Sequence, residues 1–460
     1  MPERPPGVLS REELVREAQG GRIETVITAF PDLFGRLVGK RITARFFLDE
    51  VAAHGMHVCD YLLASDMEMD PTPGYRFASW DTGYGDLHCV PDLGTLRRAA
   101  WLERSAIVLC DALREGAHVA VAPRQILRRQ VERAAAQGLE AMMGSELEFF
   151  LLRDDYETAQ QKGFRGLAHW GRYVEDYHVL SSTFAEPVIG AIRRHVDASG
   201  IPVEFSKGEW GPGQHEINLR YAAAMEMADR HVIYKQAARE IAAAAGASLT
   251  FMAKFDENLA GSSLHVHCSL WRGGESAFAG SDALPGAPVR VAPLFRHFLG
   301  GLLAHAREIA LLLAPNPNSY KRYRPGTFAP TGIAWSYDNR TAGFRVVGDG
   351  PSLRVECRIP GADANPYLAY AALLAAGLDG VERKLDPGPG FRGDVYAAKE
   401  LAHVPGTLAE AAAEFEHSAF AREAFGADVV EHLLHFARTE ERQLALRVSD
   451  VERARYFERA

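Results

Sequence analysis

Three short apolar runs carry ionisable residues two positions apart. Glu146 and Glu148 interrupt Ser145-Glu146-Leu147-Glu148-Phe149-Phe150, His265 and His267 alternate with Leu264, Val266 and Cys268, and Arg354, Glu356 and Arg358 alternate with Val355 and Cys357. In a strand, side chains at i and i+2 share a face. Each run therefore offers one ionisable face and one apolar face. A solvated sheet face is the competing reading for any one strand. It weakens when three strands agree in kind, because a solvated face mixes in Lys, Thr, Ser and Gln, while these hold almost only Glu, His and Arg. Glu204, Glu209 and Glu216 extend the set around the Gly-rich Gly211-Pro212-Gly213-Gln214. Clustered carboxylates repel one another unless cations neutralise them. Oxygen ligands with a single imidazole suit Mg²⁺ or Mn²⁺ better than zinc or copper.

Arg322, Arg340, Arg345, Arg354 and Arg358 follow within a short stretch. Guanidinium forks grip phosphate and carboxylate bidentately. Metal ions beside an arginine cluster suit phosphoryl transfer, where catalysis is positioning and charge neutralisation. Surface ion pairs are the alternative for the arginines taken alone. The sequence has no P-loop, no Gly-x-Gly-x-x-Gly after a strand and no kinase motif set, so a nucleotide needs another architecture.

These residues must be positioned by a sizeable scaffold. The chain has 460 residues, 47% hydrophobic and 24% charged, as expected for a globular protein of two domains. A net charge of -9 argues against a general nucleic-acid binder. The five cysteines are widely spaced with no CxxC, which fits a reducing, cytoplasmic setting. The opening MPERPPGVLS lacks a signal-peptide pattern, and no apolar run approaches the roughly 20 residues of a membrane span.

Ser10-Arg11-Glu12-Glu13 is a capping box that opens a helix to about Gln19. Residues 24–49 read as two strands about the turn Asp32 to Gly35, then a helix start. Residues 66–86 read as loop and 106–110 as a strand. Helices are expected over 123–137, 181–199, 223–245, 291–313 and 366–384, and strands over 142–152, 248–254 and 264–271, with Gly/Pro-rich loops at 272–290 and 385–393. A multistranded sheet with segregated helices is an α+β fold, with a domain boundary near 115–122.

At this point the chain resembles the glutamine synthetase superfamily over nearly its whole length. The marks are Gly144-Ser145-Glu146-Leu147-Glu148, Pro212-Gly213-Gln214-His215-Glu216, Gly261-Ser262-Ser263-Leu264-His265-Val266-His267, Pro315-Asn316-Pro317-Asn318-Ser319-Tyr320-Lys321-Arg322, Asp338-Asn339-Arg340 and Ala364-Asn365-Pro366. The resemblance implies an N-terminal β-grasp domain over 1–118 and a catalytic domain over 119–460. It implies a homo-oligomer, a dodecamer of two hexameric rings with active sites between neighbouring subunits. It gives one metal to Glu148, Glu209 and Glu216 and another to Glu146, His265 and Glu356, so that two or more Mg²⁺ or Mn²⁺ ions serve each site. Glu204, His267, Ser269, Arg345 and Arg354 would contact ATP as co-substrate, Gly261, Arg322 and Arg358 would hold glutamate, and Arg340 would face the transferring phosphate. The implied chemistry makes γ-glutamyl phosphate, which an amine then converts to an amide.

The chain departs from ammonium-using members at the rim of this site. Their N-terminal Asp-Gly-Ser-Ser motif is absent, and residues 79–86 read Ser-Trp-Asp-Thr-Gly-Tyr-Gly-Asp. In the flap, Pro325-Gly326-Thr327-Phe328-Ala329-Pro330 puts Phe328 where the family has glutamate. A small hydrated cation needs close polar partners, whereas a larger amine carries carbon that packs on aromatic rings. Trp80, Tyr84, Trp210 and Phe328 are candidates for such a pocket, with ordinary packing as the alternative for each. The pattern resembles the γ-glutamyl-amine ligases of the superfamily, which use polyamines, ethanolamine or other alkylamines. A true glutamine synthetase with an unusual ammonia site, and an inert structural member, are the competing readings. Glu209 is the first candidate for general base and Asp81 or Asp86 the second. Three further departures are a shorter Glu209–Glu216 spacing, Ala260 in place of an Asn, and Pro351 in place of a Lys near the ATP phosphates.

Overall fold

The computed structural model describes residues 5–460; the first four residues of the N-terminal stretch considered above lie outside it. A first sheet is built from β1 (Thr25–Pro31), β2 (Leu37–Thr43), β3 (Met56–Cys59), β4 (Asp86–Pro91) and β5 (Ser105–Arg114). Its order is β2-β1-β5-β4-β3, with Arg97–Arg98 and Ala117–His118 also paired to β5. β1 and β2 form an antiparallel hairpin, and β1 lies parallel to β5. The hairpin turns on Asp32, whose carboxylate accepts from the backbone N–H of Phe34 at 3.0 Å and of Arg36 at 2.8 Å. That side-chain mimicry of a backbone turn is why Asp is favoured there.

The second sheet has ten strands. Its main path is β10-β11-β12-β9-β6-β8-β7, where β6 is Glu140–Leu152, β7 Val203–Gly208, β8 Gln214–Leu219, β9 Leu264–Arg272, β10 Trp335–Tyr337, β11 Phe344–Val347 and β12 Arg354–Cys357. All neighbours on this path are antiparallel except β10 and β11. Helices cover it, chiefly Pro123–Ala135, Ala224–Ala244, Pro293–His305 and Pro366–Arg383. The last is apolar nearly all round and almost wholly buried, as that pattern requires. The architecture is mixed α/β. No helix among the described residues is long and apolar enough to cross a membrane.

Several expected elements come out differently. The helix expected over 181–199 is two, Val179–Thr183 and Glu186–Ala198. Pro187 sits near the start of the second; it has no N–H for the preceding turn, and its ring clashes with the carbonyl four residues back. The helix over 291–313 stops at His305 and resumes at Ala310–Leu313, with Glu308 turned back onto the His305 ring. The strand over 248–254 ends at Thr250, because Lys254 N–H bonds the Asn318 side chain at 2.9 Å instead of the sheet. The loop over 272–290 contains the short strands Glu275–Ser276 and Ala279–Ala283. The turn after β2 contains a π-helical stretch, Phe47–Val51, that no local pattern announces.

Two polar knots fix the first sheet to the second. Arg124, with a side chain only 3% exposed, holds Asp229 through two contacts at 2.9 and 3.0 Å, Asp111 at 2.5 Å and Asp92 at 3.0 Å. Tyr367 OH donates to Asp229 at 2.5 Å. One guanidinium thus ties β5 and the segment after β4 to the helix Ala224–Ala244. Asn365 caps the helix Pro366–Arg383 through its Oδ1 and donates from Nδ2 to the carbonyls of Asp32 and Leu33 at 3.1 and 3.0 Å. Arg124→Ala leaves Asp229 and Asp92 without their cation and Asp111 with Arg128 alone, and should cost about 3 kcal/mol, as breaking a buried ion pair does; urea unfolding monitored by circular dichroism would measure it.

A third knot is pH-sensitive. His305 contacts Glu308 through Nδ1 and Asp379 through Nε2 at 2.7 Å, and its ring stacks on Phe420 at 3.8 Å. Burial opposes its protonation, but Glu308 and Asp379 outweigh it and the pKa is raised. Its stabilising contribution is therefore full below the unfolded histidine pKa and is lost as pH rises through the folded one. The melting temperature of the native protein should exceed that of His305→Asn by its widest margin near pH 6, and the margin should narrow toward pH 9. A margin that widened with pH would contradict this pairing.

Candidate active site

The alternating residues of the second sheet line up across strands into three rows. Lys207, Glu216 and Glu148 face one another on β7, β8 and β6. Asn218, Glu146 and His265 form the next row, and Gly144, His267, Glu356 and Arg345 the third. Rows two residues apart along a strand are about 7 Å apart. The period-2 pattern and the register together concentrate the ionisable groups on one patch.

Ligand atoms converge there in three groups, each within 4.8 Å: Glu148, Glu209 and Glu216; Glu146, Glu216 and His265; and Glu146, His267 and Glu356. The first is the trio expected for one metal. The set expected for the other, Glu146, His265 and Glu356, is divided. His265 Nδ1 lies 3.3 Å from Glu146 and 3.6 Å from Glu356, Glu216 joins Glu146 and His265, and His267 joins Glu146 and Glu356. His267, expected at ATP, therefore also belongs to the cage. Arg354 Nε donates to His267 Nδ1 at 3.2 Å. Arginine can only donate, so Nδ1 is the acceptor and Nε2 carries the hydrogen given to Glu146 at 2.7 Å.

The electrostatics suit divalent cations. Burial first, and then neighbouring Glu209, push the Glu148 carboxyl up, and burial with Glu146, Glu209 and Glu148 pushes Glu216 well up. Ser263 N–H donates to Glu148 at 2.8 Å, and Gln214 approaches the same oxygen at 3.4 Å. Burial also opposes ionisation of Glu356, yet Arg358 and the two histidines hold it down at about 2. His265 is driven down to about 4 by burial and then by Arg358, and its buried Nε2 has no partner. A neutral imidazole among crowded carboxylates is a donor set for a hard divalent ion.

A cavity of about 600 Å³ opens beside Glu146. Four residues expected at ATP line it: Glu204, His267, Ser269 and Arg354, with Tyr221, Trp271 and Pro351–Leu353 completing the wall. Arg345 lies elsewhere, bonded to Glu356 at 2.8 Å and to Asp338 at 2.5 Å. Arg340 stands exposed in the turn after β10. Arg358 is spent on Glu356. Buried Arg322 donates to Ser263 Oγ at 3.2 Å and to the carbonyls of Arg358, Ile359 and Pro360. Those contacts shape the loop after β12, and only Nε stays without a partner. The Gly261 carbonyl accepts from Gln214 at 2.9 Å.

The four aromatic candidates fall into two pairs, and among the described residues no ring contact joins one pair to the other. Trp210 and Phe328 have ring centroids 6.4 Å apart, and Trp80 and Tyr84 5.0 Å. All but Tyr84 are exposed. Sequence reasoning missed Lys207. Its Nζ lies 2.5 Å from Glu209 and 3.4 Å from Asp176, over the Tyr177 ring at 4.2 Å. Burial works against its charge, but Glu209 and Glu216 outweigh that and keep the ammonium protonated. The i, i+2 spacing of Lys207 and Glu209 was the available signal.

Comparison with known proteins agrees with this geometry. Residues 120–456 match the family described as glutamine synthetase, catalytic domain. The γ-glutamylethanolamide synthetase GlnA4 of Streptomyces coelicolor is 49% identical over 98% of this chain and 96% of its own. A glutamate–isopropylamine ligase of a Pseudomonas species is 36% identical over 95% of both. The solved GmaS/ADP complex superposes with a TM-score of 0.84 at 28% identity, over 97% of this chain and 99% of that one. The chain belongs to the glutamine synthetase family.

Proposed function

We propose that this protein is an ATP-dependent ligase that joins the γ-carboxylate of glutamate to a primary alkylamine of the ethanolamine or polyamine type. The observation that carries the choice of acceptor is Phe328 beside Trp210 at the rim of a complete carboxylate–histidine cage. Phe328 adopts φ 55, a left-handed backbone that costs a bulky aromatic residue of order 1–3 kcal/mol. The relatives named for ethanolamide and isopropylamine chemistry support the reading.

In this reading Glu148, Glu209 and Glu216, with Glu146, His265, His267 and Glu356, hold two or more Mg²⁺ or Mn²⁺ ions. Bound metal supplies the charge neutralisation that brings ATP phosphates beside these carboxylates. The cavity lined by Glu204, His267, Ser269 and Arg354 takes the nucleotide. Glutamate lies by Gly261, Arg322 and Arg358. Its γ-carboxylate oxygen attacks the γ-phosphorus, ADP leaves, and Arg340 and Arg345 face the charge that develops. The amine sheds a proton to Glu209, its nitrogen attacks the acyl carbon, and inorganic phosphate departs to leave the amide. A β-grasp unit over 1–118, a catalytic unit over 119–460, a dodecameric double ring and a cytoplasmic setting complete the proposal; the five free cysteines fit the last.

Phosphate release with glutamate and ATP, measured across ammonium, ethanolamine, putrescine and spermidine, tests the acceptor. At least one alkylamine should exceed ammonium by about tenfold in kcat/KM, equivalent to ~1.4 kcal/mol. Strong turnover with ammonium alone would overturn the proposal. Phe328→Glu should shift the ratio toward ammonium by returning an anionic partner to the rim.

A further inference from the structure

Glu175 lies in the irregular segment before the helix Val179–Thr183, outside every motif above, yet its side chain is only 2% exposed. One carboxylate oxygen accepts from Gly213 N–H at 3.2 Å. The other faces His215 Nε2 at 3.6 Å, and among the described residues neither of those two atoms has a hydrogen-bond partner. The backbone joins in: Glu175 N–H donates to the Glu209 carbonyl at 3.2 Å, and Tyr177 N–H to the Gly208 carbonyl at 3.4 Å. The surroundings are cut to fit this one side chain. A Cβ on Gly171 would lie 1.8 Å from the Glu175 carboxylate, and one on Gly208 would lie 2.7 Å from the Glu175 Cβ. Only glycine fits at those places, so the segment 171–178 is seated closely on the turn 208–214.

That turn carries Glu209 and Trp210; its far end is held by Leu151 N–H on the Gly213 carbonyl at 2.8 Å and by the Gln214 side chain on the Gly261 carbonyl at 2.9 Å, Lys207 meets the Glu209 carboxylate at 2.5 Å, and the segment 171–178 holds its near end. Glu209 N–H bonds the Gln214 carbonyl at 2.8 Å within the turn itself, and Trp210 is 57% exposed. An unanchored Gly-Pro-Gly turn samples many conformations. A buried carboxylate left with unmet bonding capacity is costly, so the seating is strongly determined. We infer that Glu175 is a positioning residue that sets the place of Glu209 and Trp210 by clamping the segment 171–178 onto the turn 208–214. It acts on metal and acceptor amine through those two residues and touches neither. The inference rests on the proposal that Glu209 binds metal and Trp210 lines the amine pocket. The proposed nucleotide and glutamate residues lie off this turn, apart from Glu204 earlier on β7 and Gly261 bonded to Gln214, and should be less affected.

The test uses the full-length protein carrying Glu175→Ala, Glu175→Gln or Gly171→Ala, with Glu209→Gln as reference. Mn²⁺ binding without substrates is measured by titration calorimetry, and KM for ATP, for glutamate and for the fastest amine of the panel is measured beside kcat. Glu175→Ala should weaken Mn²⁺ binding severalfold and raise the amine KM about tenfold, with the ATP KM within twofold. Gly171→Ala, which displaces the same carboxylate, should reproduce that split. Glu175→Gln keeps the acceptor for Gly213 N–H and should restore most of the function. Unchanged amine KM and Mn²⁺ affinity in Glu175→Ala would overturn the inference, as would a uniform loss across all three substrates together with a lowered melting temperature in Glu175→Gln. If Glu209→Gln impairs Mn²⁺ binding and amine turnover while Glu175→Ala does not, the inference fails alone. If Glu209→Gln changes neither, the parent reading of Glu209 has failed and the inference falls with it.

Discussion

Crowding of carboxylates on one sheet face is the constraint around which the rest of the structure is arranged. Glu146, Glu148, Glu209, Glu216 and Glu356 would repel one another in a medium drier than water. Most are compensated from within the chain. Arg345 and Arg358 flank Glu356, the two histidines meet Glu146, Ser263 N–H and Gln214 serve Glu148, and Lys207 reaches Glu209. Glu216 is compensated only at longer range, by the Lys207 ammonium that faces it across β7 and β8. It is 4% exposed, it belongs to two of the three ligand groups, and among the described residues no hydrogen bond reaches its carboxylate. Glu216 thus joins the trio with Glu148 and Glu209 to the one with Glu146 and His265.

A charged cage needs a frame that cannot relax away from it. Its strands are antiparallel neighbours, so the height of every ligand but Glu209, which stands on the turn 208–214, is set by register. The helix Pro366–Arg383 backs the fold with a dry apolar surface, and its cap residue Asn365 reaches the first hairpin. Arg124 adds a second bolt between the sheets. These links fix the position of the first sheet against the helices that back the second. Buried polar knots of this kind contribute little net stability but are costly to break, so they specify one arrangement more than they strengthen it.

The sequence made the faces legible and left the pairings hidden. Alternation alone put Glu146 with Glu148 and His265 with His267, because period 2 is a local property. Which strand lies beside which, and at what register, is a property of the whole sheet. That is why His267 was expected at ATP alone, when its cross-strand place opposite Gly144 and Glu356 also brings it to Glu146. Lys207 is legible only as an i, i+2 spacing with Glu209, and its place opposite Glu216 depends on the register of β7 and β8. Glu175 leaves no signal, since it comes from an aperiodic segment and is seated among Gly171 nearby and Gly208 and Gly213 far along the chain. The long apolar helices are readable throughout, and so in kind is the break at Pro187, whose ring cannot continue the preceding turn.

The two halves of the site differ in how they are built. The proposed phosphorylating half stands on strands, is mostly buried and has its charges compensated. The proposed acceptor half stands on the turn 208–214, the flap around Phe328 and the loop 66–86, where Trp80, Trp210 and Phe328 remain exposed. Strand-borne ligands cannot shift without breaking register, whereas a loop residue can be exchanged at small cost to the fold. Such a division lets the acceptor change while the chemistry stays. The relatives fit this division: one is named for ethanolamide and another for isopropylamine, and each aligns with at least 95% of this chain. Exchanging a flap carboxylate for an aromatic ring alters what the rim can desolvate. An anion compensates a small bare cation, while a ring rewards the buried carbon of a larger amine at about 25 cal/mol per Å². For an alkylamine the second gain grows with each methylene, and for ammonium it is absent.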